Sequence, residues 1–213
     1  WRHVAWRGWA RWGVIAAVAI ATSGCTGRGP TTSLGDGLPQ TRQQAISWTK
    51  SEAAMSGPAD ELKRLQPLVG TWQWTSKWWL WPGATPTEIS GTASTQWIFG
   101  NRWLQIDCTY VPTGGAVRNW WRLVGFDRAS KKYQGGQIGD WNSWGTWGNG
   151  AWSTAINGVT FEWSLPDPTT GTWVMVRYEL AIIDDNLHTW TAYRSGSDGR
   201  LFKAWESRFQ RVR

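Results

Sequence analysis

From Val69 onward apolar positions recur at every second residue. Trp72, Trp74, Ser76, Trp78 and Leu80 alternate with Thr71, Gln73, Thr75, Lys77 and Trp79, the period of a strand with one mostly apolar face and one mixed face. Pro82-Gly83 closes it with a turn. The same alternation predicts further strands at 88–99, 102–111, 117–126, 131–139, 142–148, 151–156, 159–165, 172–183, 187–194 and 201–212. Gly114-Gly115, Asn157-Gly158, Asp184-Asp185-Asn186 and Ser197-Asp198-Gly199 separate several of them, all residues that accept turn geometry cheaply. Ahead of the strands, 41–55 can form a loose helix. A better one follows, with Pro58 in its first turn, Asp60 and Glu61 near its start, Leu62 and Leu65 on one side and Pro67 just beyond its end. About ten consecutive strands on short hairpins, with no long crossover, predict an all-β chain closed as an up-and-down antiparallel barrel.

Composition agrees. The 213 residues suit one well-cored domain plus an appendage. Charged residues make up 17%, aromatics 15%, and there are 25 glycines, a mixture suited to short strands and tight turns. Tryptophan is in excess, 22 against 2 methionines, and a Trp at position 1 implies a start further upstream or altered Trp identities. The net charge is +7, but the basic residues are scattered and no Lys/Arg run interleaves with aromatics as a phosphate-tracking groove requires. No nucleic-acid partner is expected.

Residues 1–24 combine Arg2, Arg7 and Arg11 with an apolar run from Val14 to Ala21, too short for a stable span and suited to a signal peptide. Thr22-Ser23-Gly24-Cys25 resembles the lipobox of bacterial lipoproteins, with Thr22 in place of the usual aliphatic residue. It nominates Cys25 for lipidation and the membrane as a partner through that anchor. Residues 25–57 then read as a lipid-anchored tether with a loose helix, and 58–213 as the barrel domain, placed in the bacterial cell envelope. Losing the three leader arginines lowers the charge to about +4, so part of the basic balance belongs to targeting. Cys108 would then be the one remaining thiol, best read as a small buried hydrophobe.

Leu65-x-x-Leu68-Val69-Gly70-Thr71-Trp72 resembles the opening of lipocalin-like, or calycin, domains. Trp81-Pro82-Gly83-Ala84, Gly91-Thr92-Ala93, Gly100-Asn101-Arg102-Trp103-Leu104, Gly125-Phe126-Asp127, Lys131-Lys132-Tyr133, Asp198-Gly199 and the segment from Glu206 to Arg211 resemble a bacterial family of unknown function expected to form such a barrel. The resemblance covers about residues 60–213. Trp78, Trp141, Trp144 and Trp205 depart from it where a flexible apolar residue is expected, and Asn101 where Gly is. It implies that Trp72 closes one barrel end beneath a basic side chain of the last strand, Arg211, with Arg208 or Arg213 as alternatives.

Catalytic signatures are absent: no Gly-x-Ser-x-Gly, His-Glu-x-x-His or Cys-x-x-Cys occurs. No catalytic, metal or cofactor site is therefore expected. Strand parity nominates Trp74, Trp78, Ile106, Cys108, Tyr110, Val176, Tyr178, His188, Trp190 and Trp205 as the interior, either lining a site for a small hydrophobic molecule or packing as plain core. His188 is the one histidine after the leader and leaves room for a nitrobindin-like haem barrel. Exposed Trp79, Trp81, Trp120 or Trp147 could instead serve a structural or interaction module at the envelope, or stack on cell-wall sugars.

Overall fold

The computed structural model describes residues 38–112, 114–140, 145–167, 171–196 and 199–213. Ten antiparallel strands close into a barrel: β1 (Gly70–Trp78), β2 (Thr87–Ile98), β3 (Trp103–Tyr110), β4 (Arg118–Asp127), β5 (Lys132–Gly139), β6 (Thr146–Ser153), β7 (Gly158–Pro166), β8 (Trp173–Asp184), β9 (Leu187–Ser195) and β10 (Leu201–Arg211). Each strand pairs with its sequence neighbour, and β1 pairs with β10 to close the ring. The all-β up-and-down barrel is thus observed, and each of the described strands pairs on both sides.

One expected pair of strands is a single strand. The expected strands 142–148 and 151–156 part at Asn149-Gly150, yet β6 runs straight through that pair, and 142–144 lie outside the described residues. The glycines serve packing rather than a turn. A Cβ on Gly148 would lie 1.9 Å from the Glu162 carbonyl oxygen and 2.7 Å from Trp163, and one on Gly150 would lie 2.6 Å from Phe161. Bare backbone on β6 is what admits the large rings of β7 to the interior.

The helix expected near Asp60 is a 3-10 helix, Asp60–Leu68, continuing through Pro67. Leu62, Leu65 and Leu68 recur every third residue and all three are buried, a spacing that suits three residues per turn. This helix lies across one end of the barrel: the Tyr133 hydroxyl donates to the Glu61 carbonyl at 2.8 Å, Trp97 Nε1 donates to Gln66 Oε1 at 2.8 Å, and the Arg64 guanidinium sits 5.1 Å from the Trp152 ring. The loose helix is α1 (Arg42–Met55), started by a reciprocal Thr41–Gln44 capping box and exposed along its described side chains. Cys25, the leader and the first part of the tether lie outside the described residues, as do Trp141, Trp144 and Asp198.

Candidate functional site

The two barrel ends are built differently. At the end under the 3-10 helix, Trp72 is fully buried and its Nε1 donates to the Leu68 carbonyl at 2.9 Å. Arg211 stands opposite Trp72 in the β1–β10 register, its guanidinium carbon 4.3 Å from the indole centroid, a cation–π arrangement. Its nitrogens donate to the carbonyls of Val69 at 2.8 Å, Asp185 at 2.6 Å and Pro67. Gly70 makes this possible: its φ is +141°, and a Cβ there would lie 2.2 Å from Arg211 Nη1. Arg208 and Arg213 are exposed.

His188 belongs to this sealed end. Its ring stacks on Phe209 with centroids 4.5 Å apart and meets Trp72 edge-on at 4.4 Å. It is 1% exposed, and burial, with Arg122 and Arg211 adding to it, pulls its pKa down to about 3. A planar macrocycle has no space against an imidazole held between two rings, so the haem reading does not fit.

At the opposite end a cavity of about 290 Å³ opens between the strand termini. Trp78, Tyr110, Val176, Tyr178 and Trp205 line it, joined by Trp79, Trp120, Gln137, Leu165 and Arg194. Five of the ten nominated interior residues therefore reach the cavity. Trp74, Ile106, Cys108 and Trp190 share their parity but lie in the packed layer below, each at most 2% exposed, and His188 lies lower still. Burial pushes the Cys108 thiol up to about 12, which keeps it from ionising at neutral pH.

Two tryptophans expected on the outer surface are elsewhere. Trp120 is 4% exposed and points inward, packed edge-on against Trp74 at 5.0 Å and Tyr110 at 5.6 Å. Trp79 lies beyond the end of β1, where its backbone N–H donates to the Ala204 carbonyl at 2.9 Å and its side chain turns onto the cavity rim. Strand alternation stops applying once the ladder ends. Trp81 and Trp147 are exposed as expected.

The residue that parity should have nominated is Arg122, between Trp120 and Val124 on the inward face of β4. It is fully buried, and desolvation lowers its pKa. Its guanidinium carbon lies 4.4 Å from the Trp205 ring centroid, 4.8 Å from that of Trp190 and 5.8 Å from that of Trp120. Nε donates to Gln137 Oε1 at 3.3 Å. Trp205, Trp120 and Gln137 also line the cavity, so Arg122 lies just beneath its floor. Among the described residues no three His, Cys, Asp or Glu gather as a metal site would need.

A family described as "Protein of unknown function (DUF1579)" matches residues 57–211. No curated protein matches the chain. Among solved structures, the crystal structure of Rv2717c from M. tuberculosis aligns over 73% of this chain and 99% of its own, with a TM-score of 0.52 at 15% identity. That similarity concerns the fold alone. A redesigned β-barrel, mFAP0, solved bound to DFHBI, covers 68% of this chain and 100% of its own at 17% identity, with a TM-score of 0.36, too low for structural inference.

Proposed function

The chain belongs to the DUF1579 family of proteins of unknown function, and from the geometry of its barrel mouth we propose that it binds a small hydrophobic molecule. One observation carries this reading: the barrel is packed solid and sealed at the Trp72–Arg211 end, while the other end holds a cavity walled by Trp78, Tyr110, Tyr178 and Trp205. Its volume of about 290 Å³ lies just below the usual span of ligand pockets, roughly 300 to 1,000 Å³, so the molecule it takes is small. A ligand entering there contacts indole faces directly. Titration with a naphthalene-sulfonate probe is expected to quench tryptophan emission saturably, and a featureless titration would show that the mouth binds nothing of this class.

The envelope setting belongs to the same proposal and rests on the leader and on Cys25. Mass spectrometry of the mature protein from membranes tests it: a diacylated Cys25 at the new N-terminus is expected, and an unmodified N-terminus elsewhere overturns it.

An interaction role at the envelope is favoured by a separate observation. On the outer face near the mouth, Trp121 pairs in register with Ile138, and Trp147 opposes Ser164, which opposes Met175. Trp121, Ile138, Trp147, Met175 and Trp173 are 41–64% exposed. This apolar band around the open end has the character of a surface that meets a membrane interface, where aromatic rings are favoured.

A further inference from the structure

Among the described residues, the cation beneath the cavity has no anion. Arg122 Nη1 and Nη2 are both buried and have no hydrogen-bond partner among the described residues. The side chains around it are the indoles of Trp120, Trp190 and Trp205, the Gln137 amide, and the Cys108 and Tyr178 groups, both pushed up to about 12 by burial and therefore neutral. The acids of the neighbouring strands point the other way: Asp107, Glu162, Glu179 and Glu206 alternate with the inward residues Cys108, Trp163, Tyr178 and Trp205. Buried charges in proteins are ordinarily paired, and one left alone is costly. The indole faces offset only part of that cost and take up none of the free N–H donors.

We propose that Arg122 is the head-group subsite of this cavity and that the ligand is an amphipathic carboxylate, an apolar body carrying one acid. This rests on the ligand-binding reading above and names its chemical class. Two parallel N–H donors match a carboxylate bidentately, and the aromatic walls above them take the apolar remainder. Gln137 Oε1, by accepting from Nε, holds the plane of the fork, leaving Nη1 and Nη2 for the acid.

Trp205 is the gate. It lies at the register shift between β9 and β10, where Ala204 falls out of the ladder, and bulged positions re-aim side chains more readily than regular ones. Its ring covers the guanidinium from the cavity side, next to Trp78 at a centroid separation of 5.8 Å. The Trp205 indole N–H donates to Ser76 Oγ, so an acid that reaches Arg122 must break this bond as the ring turns, and its binding alters tryptophan emission as well as affinity.

Calorimetric titration of the wild-type protein with decanoate and decanol, and with 1-naphthoate and 1-naphthol, tests the proposal. Each acid is expected to bind at least about tenfold more tightly than its neutral counterpart, a difference of about 1.4 kcal/mol. The aliphatic and aromatic arms tell a lipid-derived acid from an aromatic one. In Arg122→Met, whose apolar side chain removes the buried charge and so leaves the barrel folded, the acid preference should vanish while decanol or naphthol still binds. Equal affinity for acid and alcohol in the wild type overturns the head-group assignment but leaves a hydrophobic site. Binding of none of the four overturns the ligand-binding reading and the assignment with it.

Discussion

Replacing Trp72 by Ala tests how the sealed end works. The side chain is fully buried and makes three identifiable interactions: the indole N–H to Leu68, the face beneath Arg211 and the edge against His188. Removing a buried Trp costs about 3–5 kcal/mol through lost transfer energy and the cavity left behind. For a domain of this size each kcal/mol lowers Tm by about 2–4 °C, so the variant should melt about 6–20 °C lower. The cation–π share, about 0.5–2 kcal/mol, can be isolated by a double-mutant cycle with Arg211→Met. Arg211→Met by itself also strands the carbonyls of Val69, Pro67 and Asp185, so its cost exceeds that share. Thermal unfolding followed by near-UV circular dichroism gives the three stabilities, and probe titration on the same samples reads the mouth. A coupling of about 1 kcal/mol is expected, with probe affinity unchanged. A Tm within about 2 °C of wild type, or strict additivity within about 0.3 kcal/mol, would show that the indole and guanidinium do not hold this end together.

Three further outcomes follow from the same geometry. Gly70→Ala places a Cβ 2.2 Å from Arg211 Nη1 at a φ of +141°, so it should destabilise by more than the ~1 kcal/mol of an ordinary backbone mismatch, measured by urea unfolding; equal stability would mean that Arg211 can leave Trp72 at no cost. Because His188 titrates near pH 3 in the folded protein against 6.5 for the free side chain, the unfolded chain takes up a proton that the native state refuses. Stability from this residue is therefore lost as pH falls from about 6.5 toward 3, and between pH 7.5 and 4.5 the wild type should lose about 2–3 kcal/mol more than His188→Phe; parallel losses would mean that His188 is protonated when folded. Trp121→Ser with Trp147→Ser should halve or further reduce sedimentation with lipid vesicles while leaving probe binding intact, and undiminished sedimentation would remove the outer band from any membrane role.

Much of the barrel was legible because its signals are local. Alternation along β1 and β8, the turn residues at Asn157-Gly158 and the three acid-amide residues before β9 each depend on a few neighbouring side chains. The misreadings have a different origin. Gly148-Asn149-Gly150 carries strong turn chemistry, and only the arrival of Trp163 and Phe161 from β7 makes bare backbone there a packing device. Propensity and capping forecast a helix near Asp60, which is present, but do not separate 3-10 from α. The leucine spacing of three does, but it acts only through burial against the barrel. Arg122 was passed over because charge argues for the surface, although its neighbours Trp120 and Val124 share its parity and point inward.

Parity also cannot say how deep an inward residue sits, and that depth separates stability from binding. Trp72, Trp74 and Trp78 lie on one face of one strand, yet Trp72 is 0% exposed, Trp74 2% and Trp78 39%. A strand rises about 3.3 Å per residue, so roughly 20 Å separate the first from the last. The register carries the same gradient around the ring: Trp72 faces Arg211 in the sealed layer, Trp74 faces Phe209 in the packed layer, and Trp78 faces Trp205 at the mouth. Arg122 lies at the boundary, between Trp190 of the packed layer and Trp205 of the cavity wall. A charge placed one layer deeper would have no route to a ligand, and one placed a layer higher would be screened by water. On the head-group proposal, its place at the boundary leaves it both desolvated and close to the opening.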